Sequence, residues 1–428
     1  MRSNRIWAFK LVAWLMAIFL FLVLIVLPLL TAVLLNSGQL PSGFIRYLHV
    51  VEHVQTIAMR FFTVVWIFFV GGCFASFLNV VAWRVPRGRS ILGSSHCPFC
   101  NVKLTFRDNL PVVGWLRNAG RCSTCKLPIP VRYLVAEVIL GSLFLVLAIV
   151  QLAGGGLNLP FRPLNSMNGF EHLLFSPQWD LIELLLYYLV LVSSLFTFAL
   201  IESDRLPVPQ KIFWFSVTLG TILPLIWPQM ILVSWSTQYV ATMSVAAMLH
   251  MLTLFLGAIA GMGLGCLMAV DFRLAGFSPS TSEPGSHESE SQTTDSNQLT
   301  VRWDLVKGMT LTGIFLGWQA AFSICVFYFF VTLSFEVLLS APPRNNQRKS
   351  IPFKQNDSAK LLLATMLHLL SWRLQASIPF WIGNQNSLQV VALGILAVFA
   401  LKIAESRFSG KKFRDCAKSG NGSFGEQG

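Results

Sequence analysis

Apolar stretches of about 20 residues recur along the whole chain, and this limits the possible folds more than any single motif does. The first runs from Leu11 to Leu35, behind Arg2, Arg5 and Lys10. It is long enough to span a bilayer and too long for the core of a signal peptide, and it lacks an obvious small-residue cleavage site. It reads as an uncleaved anchor with its N-terminus inside. The 428 residues are 54% hydrophobic and 12% charged, a balance that points to an integral membrane protein and away from a large soluble core. The formal charge is +13, but the basic residues are spread over separate loops. That distribution sets loop orientation and argues against nucleic-acid binding.

The expected fold class is an all-α polytopic membrane protein of about ten transmembrane helices. Residues 1–60 hold the anchor and its connection, and 61–83 the second span. Residues 84–132 form a loop with nine Lys/Arg and one acid, Asp108, which the positive-inside bias places in the cytoplasm. Residues 133–277 carry four further spans, near 133–153, 181–201, 212–233 and 241–270. Residues 278–300, rich in Ser, Thr and Glu, read as a disordered acidic linker. Residues 301–383 continue the membrane core. There, 308–340 is too long for one span and short for two, so a tight hairpin is expected near Gly317–Ala321, followed by a basic loop at 341–360 and a ninth span from about Leu361 to Ile382. Residues 384–428 hold a final span, Leu388 to Ile403, and a basic tail. With ten spans the basic loops all fall on one side.

Within the cytoplasmic loop, Cys97-Pro98-Phe99-Cys100 is followed after twenty-one residues by Cys122-Ser123-Thr124-Cys125. Two such knuckles suit one tetrahedral ion, because each presents two thiolates to the same point. Four thiolates match zinc, in a closed site whose role is structural. Two disulfides or idle thiols are the alternatives. A reducing cytoplasm favours the metal.

Two acidic sites stand at cytoplasmic membrane borders. Glu202-Ser203-Asp204 ends the fourth span, and Asp304 opens the seventh with Lys307 close behind. Acids at such depth are costly unless paired or hydrated. Paired carboxylates can activate a water and protonate a leaving amine. The competing reading is that border acids only mark loop ends. Gly261-Met262-Gly263-Leu264-Gly265 lies inside a span, where small residues serve helix packing; without a following Lys-Ser/Thr it is no phosphate loop.

The order of these motifs resembles the type IV prepilin leader peptidases, membrane aspartic proteases that are often also N-methyltransferases. The likeness is carried by Ala75-Ser76-Phe77-Leu78-Asn79-Val80-Val81 through Arg84-Val85-Pro86, by His96-Cys97, Asp108-Asn109-Leu110-Pro111 and Gly114-Trp115-Leu116, and by Gly120-Arg121-Cys122 and Arg132-Tyr133. It continues in Ala199-Leu200-Ile201-Glu202-Ser203-Asp204 with Pro209, in Phe315-Leu316-Gly317-Trp318-Gln319-Ala320-Ala321, and in Ile351-Pro352-Phe353. In that family one aspartate sits in an Ile-Asp-x-Asp motif and the other ends Gly-x-Gly-Asp. Here Glu202 takes the first aspartate's position. The second motif reads Val301-Arg302-Trp303-Asp304, without its glycines and one residue early relative to Gly317-Trp318.

The resemblance implies a membrane aspartic endopeptidase that cuts the leader of pilin-like precursors on the cytoplasmic side. Glu202, Asp204 and Asp304 would be its acids, and Cys97, Cys100, Cys122 and Cys125 its zinc ligands. It implies S-adenosylmethionine as a cofactor if N-methylation is retained. Pilin-like precursors and the lipid bilayer are the expected partners. The setting is the bacterial cytoplasmic membrane, with both termini inside. The altered aspartate motifs leave a second possibility, a catalytically impaired member that binds pilin-like helices or helps assemble a secretion or pilus complex.

Overall fold

The computed structural model describes residues 26, 42–93, 95–97, 99–105, 107–160, 169–170, 176–227, 243–269, 302–338 and 356–378. The spans expected at Leu11–Leu35 and Leu388–Ile403, the linker 278–300 and most of the basic loop 341–360 lie outside these residues. The described residues form helices α1 (Ser42–Arg84), α2 (Val113–Arg117), α3 (Val131–Ala148), α4 (Trp179–Ser203), α5 (Gln210–Ile226), α6 (Met243–Ala269), α7 (Trp303–Leu338) and α8 (Asp357–Ser377). They contain no strand, only two isolated β-bridges in the cysteine loop.

Among the described residues, five segments are by length and composition apolar enough to cross a membrane: His53–Arg87, Val131–Ala153, Trp179–Ser203, Met251–Ala269 and Trp303–Phe335. The chain is therefore an all-helical membrane protein. Phe61, Trp66 and Phe74 on α1 and Phe255 on α6 stay exposed, as side chains facing lipid should. Hydroxyls inside the helices bond back to their own backbone: Ser194 to Val190, Thr197 to Ser193 and Thr365 to Leu361. A polar group in a span thus keeps a partner where water is absent.

The chain divides into two compact units. The first comprises Met1–Ser76, Ser94–Leu157 and Arg162–Leu185. In it α1 and α3 approach closely because Gly71 faces Gly141, leaving no Cβ between the backbones, and Phe74 packs on Phe144 with ring centroids 5.7 Å apart.

The second unit comprises Phe77–Gly93, Asn158–Phe161 and Leu186–Gly428. Its centre is the pair α6 and α7. Gly257 lies against Gly313, Gly261 against Met309, and Gly265 against Val306. Glycines four apart form one stripe along α6, so the stretch Gly261–Gly265 serves helix packing.

Gly317 interrupts α7 with φ 85° and ψ 170°, a conformation that only glycine adopts without strain. It turns the chain back on itself. Arg302 and Tyr328 both reach the carboxylate of Asp357, and Met268 accepts Arg302 on its carbonyl and Cys325 on its sulfur. A straight helix would hold positions 302 and 328 about 39 Å apart. The reversal is made at one residue, within the stretch whose length asked for a hairpin.

α8 begins at Asp357, four residues before the span expected from Leu361. Asn356 caps it: its side-chain oxygen accepts the Ala359 N–H at 2.8 Å, and its amide donates to the Ala199 carbonyl on α4 at 2.7 Å.

Candidate functional site: a four-thiol cluster and an acid-lined cavity

The cysteine loop belongs to the first unit. Each knuckle is the same small turn. The Cys97 N–H donates to Val102 and the Asn101 N–H back to Cys97; likewise the Cys122 N–H donates to Leu127 and the Lys126 N–H back to Cys122. Asn101 and Lys126, each directly after a second cysteine, hold φ 54° and 61°. These turns aim the four sulfurs at one point, all within 4.8 Å of one another. Cys97 Sγ lies 3.8 Å from Cys125 Sγ, and Cys100 Sγ 3.9 Å from Cys122 Sγ. A disulfide needs about 2.05 Å, so the two-disulfide alternative fails. A tetrahedron with metal–sulfur bonds of about 2.3 Å has edges of about 3.8 Å, and the cluster fits a bound ion.

The backbone lowers two of the thiols, Cys122 and Cys97, while burial and the neighbouring thiols push Cys125 up to about 11. The N–H groups of Cys125 and Thr124 point at Cys122 and pull its thiol down to about 6. Those of Cys100 and Phe99 lower Cys97 in the same way. Asp108 ties the loop together, accepting from the Thr105 hydroxyl at 2.6 Å, the Asn118 amide at 2.9 Å and the Ser123 hydroxyl at 3.3 Å. Burial alone would raise its carboxyl, but these donors outweigh burial and hold it below the usual range. Glu137 on α3 accepts the Val112 N–H at 2.7 Å, which fixes Val112 at φ 60°, a costly setting for a β-branched residue.

The acids belong to the second unit. A cavity of about 840 Å³ is lined by Glu202, Arg302, Asp304, Lys307 and Asp357 among others. Glu202 comes from the end of α4, Asp304 from the first turn of α7 and Asp357 from the first turn of α8.

Each carboxylate is held differently. The Glu202 oxygens accept the N–H groups of Asp357 at 2.9 Å and Ser358 at 2.8 Å, the two amides that open α8. An anion at a helix N-terminus meets free donors and the positive end of the helix dipole. Asp304 accepts Lys307 Nζ and the Val208 N–H, both at 3.1 Å, and Lys307 also donates to the Val208 carbonyl at 2.6 Å. Asp357 takes Arg302 at 2.6 Å, Lys360 at 3.0 Å and the Tyr328 hydroxyl at 2.8 Å. Asp204 faces Arg87 at 3.8 Å and is not among the residues lining the cavity.

Of the three border acids singled out in the sequence, Glu202 and Asp304 line one cavity together and Asp204 does not. Asp357 is the residue the sequence reading missed. It fell within a stretch read as a basic loop, although Asn356-Asp357-Ser358 is a helix-start signal that would have located it.

Comparison with known proteins reaches the segment that carries the cysteine loop. A family model of the bacterial peptidase A24 N-terminal domain matches residues 69–151. The chain is 44% identical over 81 residues to a prepilin leader peptidase/N-methyltransferase of Myxococcus xanthus, covering 19% of this chain and 24% of that one. It is 35% identical over 101 residues to a type 4 prepilin-like proteins leader peptide-processing enzyme of Escherichia coli, covering 19% and 38%. It is 35% identical over 95 residues to a prepilin leader peptidase/N-methyltransferase of Klebsiella pneumoniae, covering 21% and 42%. The matches span about a quarter to two fifths of those relatives' length. No solved structure matches. Residues 69–151 are similar to the bacterial peptidase A24 N-terminal domain, and the chain shares a partial likeness with prepilin leader peptidases.

Proposed function

We propose that this protein is a membrane aspartic endopeptidase that removes the leader of pilin-like precursors on the cytoplasmic side of the membrane. The observation that carries the reading is the single cavity lined by Glu202 and Asp304, acids delivered by the ends of two different helices. One carboxylate would take a proton from a water as its oxygen attacks the scissile carbonyl. The other would give a proton to the leaving amine, so that peptide and water become a leader carboxylate and a new N-terminus. Asp304, which accepts Lys307 Nζ at 3.1 Å, would be the base. Glu202 would be the second acid of the pair, through which that proton reaches the leaving amine. Asp204, paired with Arg87, is left to positioning.

The four cysteines would hold zinc, the ion that four thiolates at this spacing suit best, and its contribution is to fold the loop. The relatives' names supply the pilin-like substrate and the second activity, N-methylation. No described residue is assigned to S-adenosylmethionine, so the proposal stops at hydrolysis.

A second reading is favoured by one observation: every acid in the cavity already has close partners, Glu202 in two amides, Asp304 in Lys307 and Asp357 in Arg302 and Lys360. A member with its acids so engaged would bind pilin-like helices without cutting them. Co-expression with pilin-like precursors separates the two. Leader removal by the wild type that is lost in Glu202→Gln and in Asp304→Asn supports the peptidase. Co-purification of uncut precursor supports the binding role.

A further inference from the structure

One departure from the family pattern, Glu at 202, lies in one network with Arg302 and Asp357. Arg302 stands at the variable position of that motif, between Val301 and Trp303, which take the places of its glycines, and it brings a charge to the membrane border. Its guanidinium is neutralised by Asp357 at 2.6 Å and donates to the Met268 carbonyl at 2.8 Å. Glu202 carries one more methylene than the expected aspartate, and that length carries its carboxylate to the first two amides of α8. Asp357 joins Glu202 to Arg302. Its backbone N–H holds Glu202, and its side chain holds Arg302, Tyr328 and Lys360.

From this geometry we infer that Asp357 is a positioning residue for Glu202. The inference rests on the peptidase reading and goes beyond it. Asp357 pins the start of α8 to both arms of α7, on the two sides of Gly317. The amides that clasp Glu202 can hold it in one place only if that start is fixed. The carboxylate of Asp357 sits close to that of Glu202 without driving it off, because Arg302, Lys360 and Tyr328 take up its charge and lone pairs. The arginine, the aspartate and the longer acid are thus matched to one another.

The test uses the full chain in lipid vesicles and two readouts. The first is modification of Glu202 by a hydrophobic carbodiimide, located by peptide mass. The second is the kcat and KM for leader release from a pilin-like precursor. Asp357→Asn keeps the size and one acceptor oxygen but removes the charge. Tyr328→Phe removes a single hydrogen bond and serves if Asp357→Asn does not fold. In both variants Glu202 should be modified faster than in the wild type. For Asp357→Asn, kcat should fall by about 10²-fold, the effect of misplacing a reacting group by 1 Å, with KM unchanged. A merely structural role would lower the amount of folded protein and leave the kcat of the folded fraction intact.

Unchanged Glu202 modification in both variants overturns the inference. So does faster modification with kcat preserved. Wild-type protein that cuts no precursor overturns the peptidase reading instead, and the modification rates still decide whether Asp357 holds Glu202.

Discussion

Glu202 and Asp357, 155 residues apart in the chain, meet through the backbone: the Asp357 N–H donates to Glu202 Oε1 at 2.9 Å. The Ser358 N–H completes the clasp on Oε2 at 2.8 Å. The end of one helix thereby carries the anion that the start of another requires. This contact decides how the altered motif should behave, because the glutamate has a partner that an aspartate at 202 would not reach.

Replacing Glu202 by Asp, the residue the resemblance expects, should harm the protein. The shorter side chain withdraws its carboxylate from the α8 amides. Loss of a helix cap costs about 0.5–2 kcal/mol, read as a lower Tm in detergent. Leader release should fall with it. A gain in both would show that 202 is only a degraded aspartate site.

The cysteine loop should depend on its metal. Chelation, or Cys122→Ser, should release the ion and open residues 84–132 to protease, because the segment has little core of its own. Elemental analysis of the purified protein should give one zinc per chain in the wild type and a small fraction of that in the variant. Protease resistance that survives metal loss would contradict a structural role.

Gly313 faces Gly257 with no room for a Cβ on either side. Gly313→Leu should therefore part α6 from α7. Overpacking of this kind costs about 1–3 kcal/mol, visible as an earlier thermal transition. Gly263, on the same helix with open space where its Cβ would be, should accept alanine at no such cost. Equal effects at both positions would argue against the packing stripe.

The elements legible in the sequence are those whose cause is local. Cys97, Cys100, Cys122 and Cys125 announce their cluster because each knuckle is three residues of chain closing one turn. The helices α1, α3, α4, α5 and α6 announce themselves through apolar runs; α3, α4 and α6 end near the expected residues, α5 stops at Ile226, short of 233, α1 begins well before residue 61, and the short α2 in the cysteine loop was not expected. Gly317 was visible only as a length problem, since nothing in the stretch said that one residue could reverse the chain. Asp357 was invisible for the opposite reason. Its partners Arg302, Tyr328 and Glu202 lie 55, 29 and 155 residues away, and only the tertiary fold gathers them. A loop rich in lysine and arginine hid an acid that balances an arginine elsewhere.

The claim most exposed to test is that the cavity between the ends of α4, α7 and α8 cuts peptide bonds. The measurement is leader release from a pilin-like precursor by the purified protein in lipid vesicles, followed by mass spectrometry, for the wild type, Glu202→Gln and Asp304→Asn. The account predicts a leader and a mature N-terminus from the wild type, and a loss of at least about 10²-fold in each variant, as for removal of a general acid or base. Release that continues unchanged in both variants would contradict it.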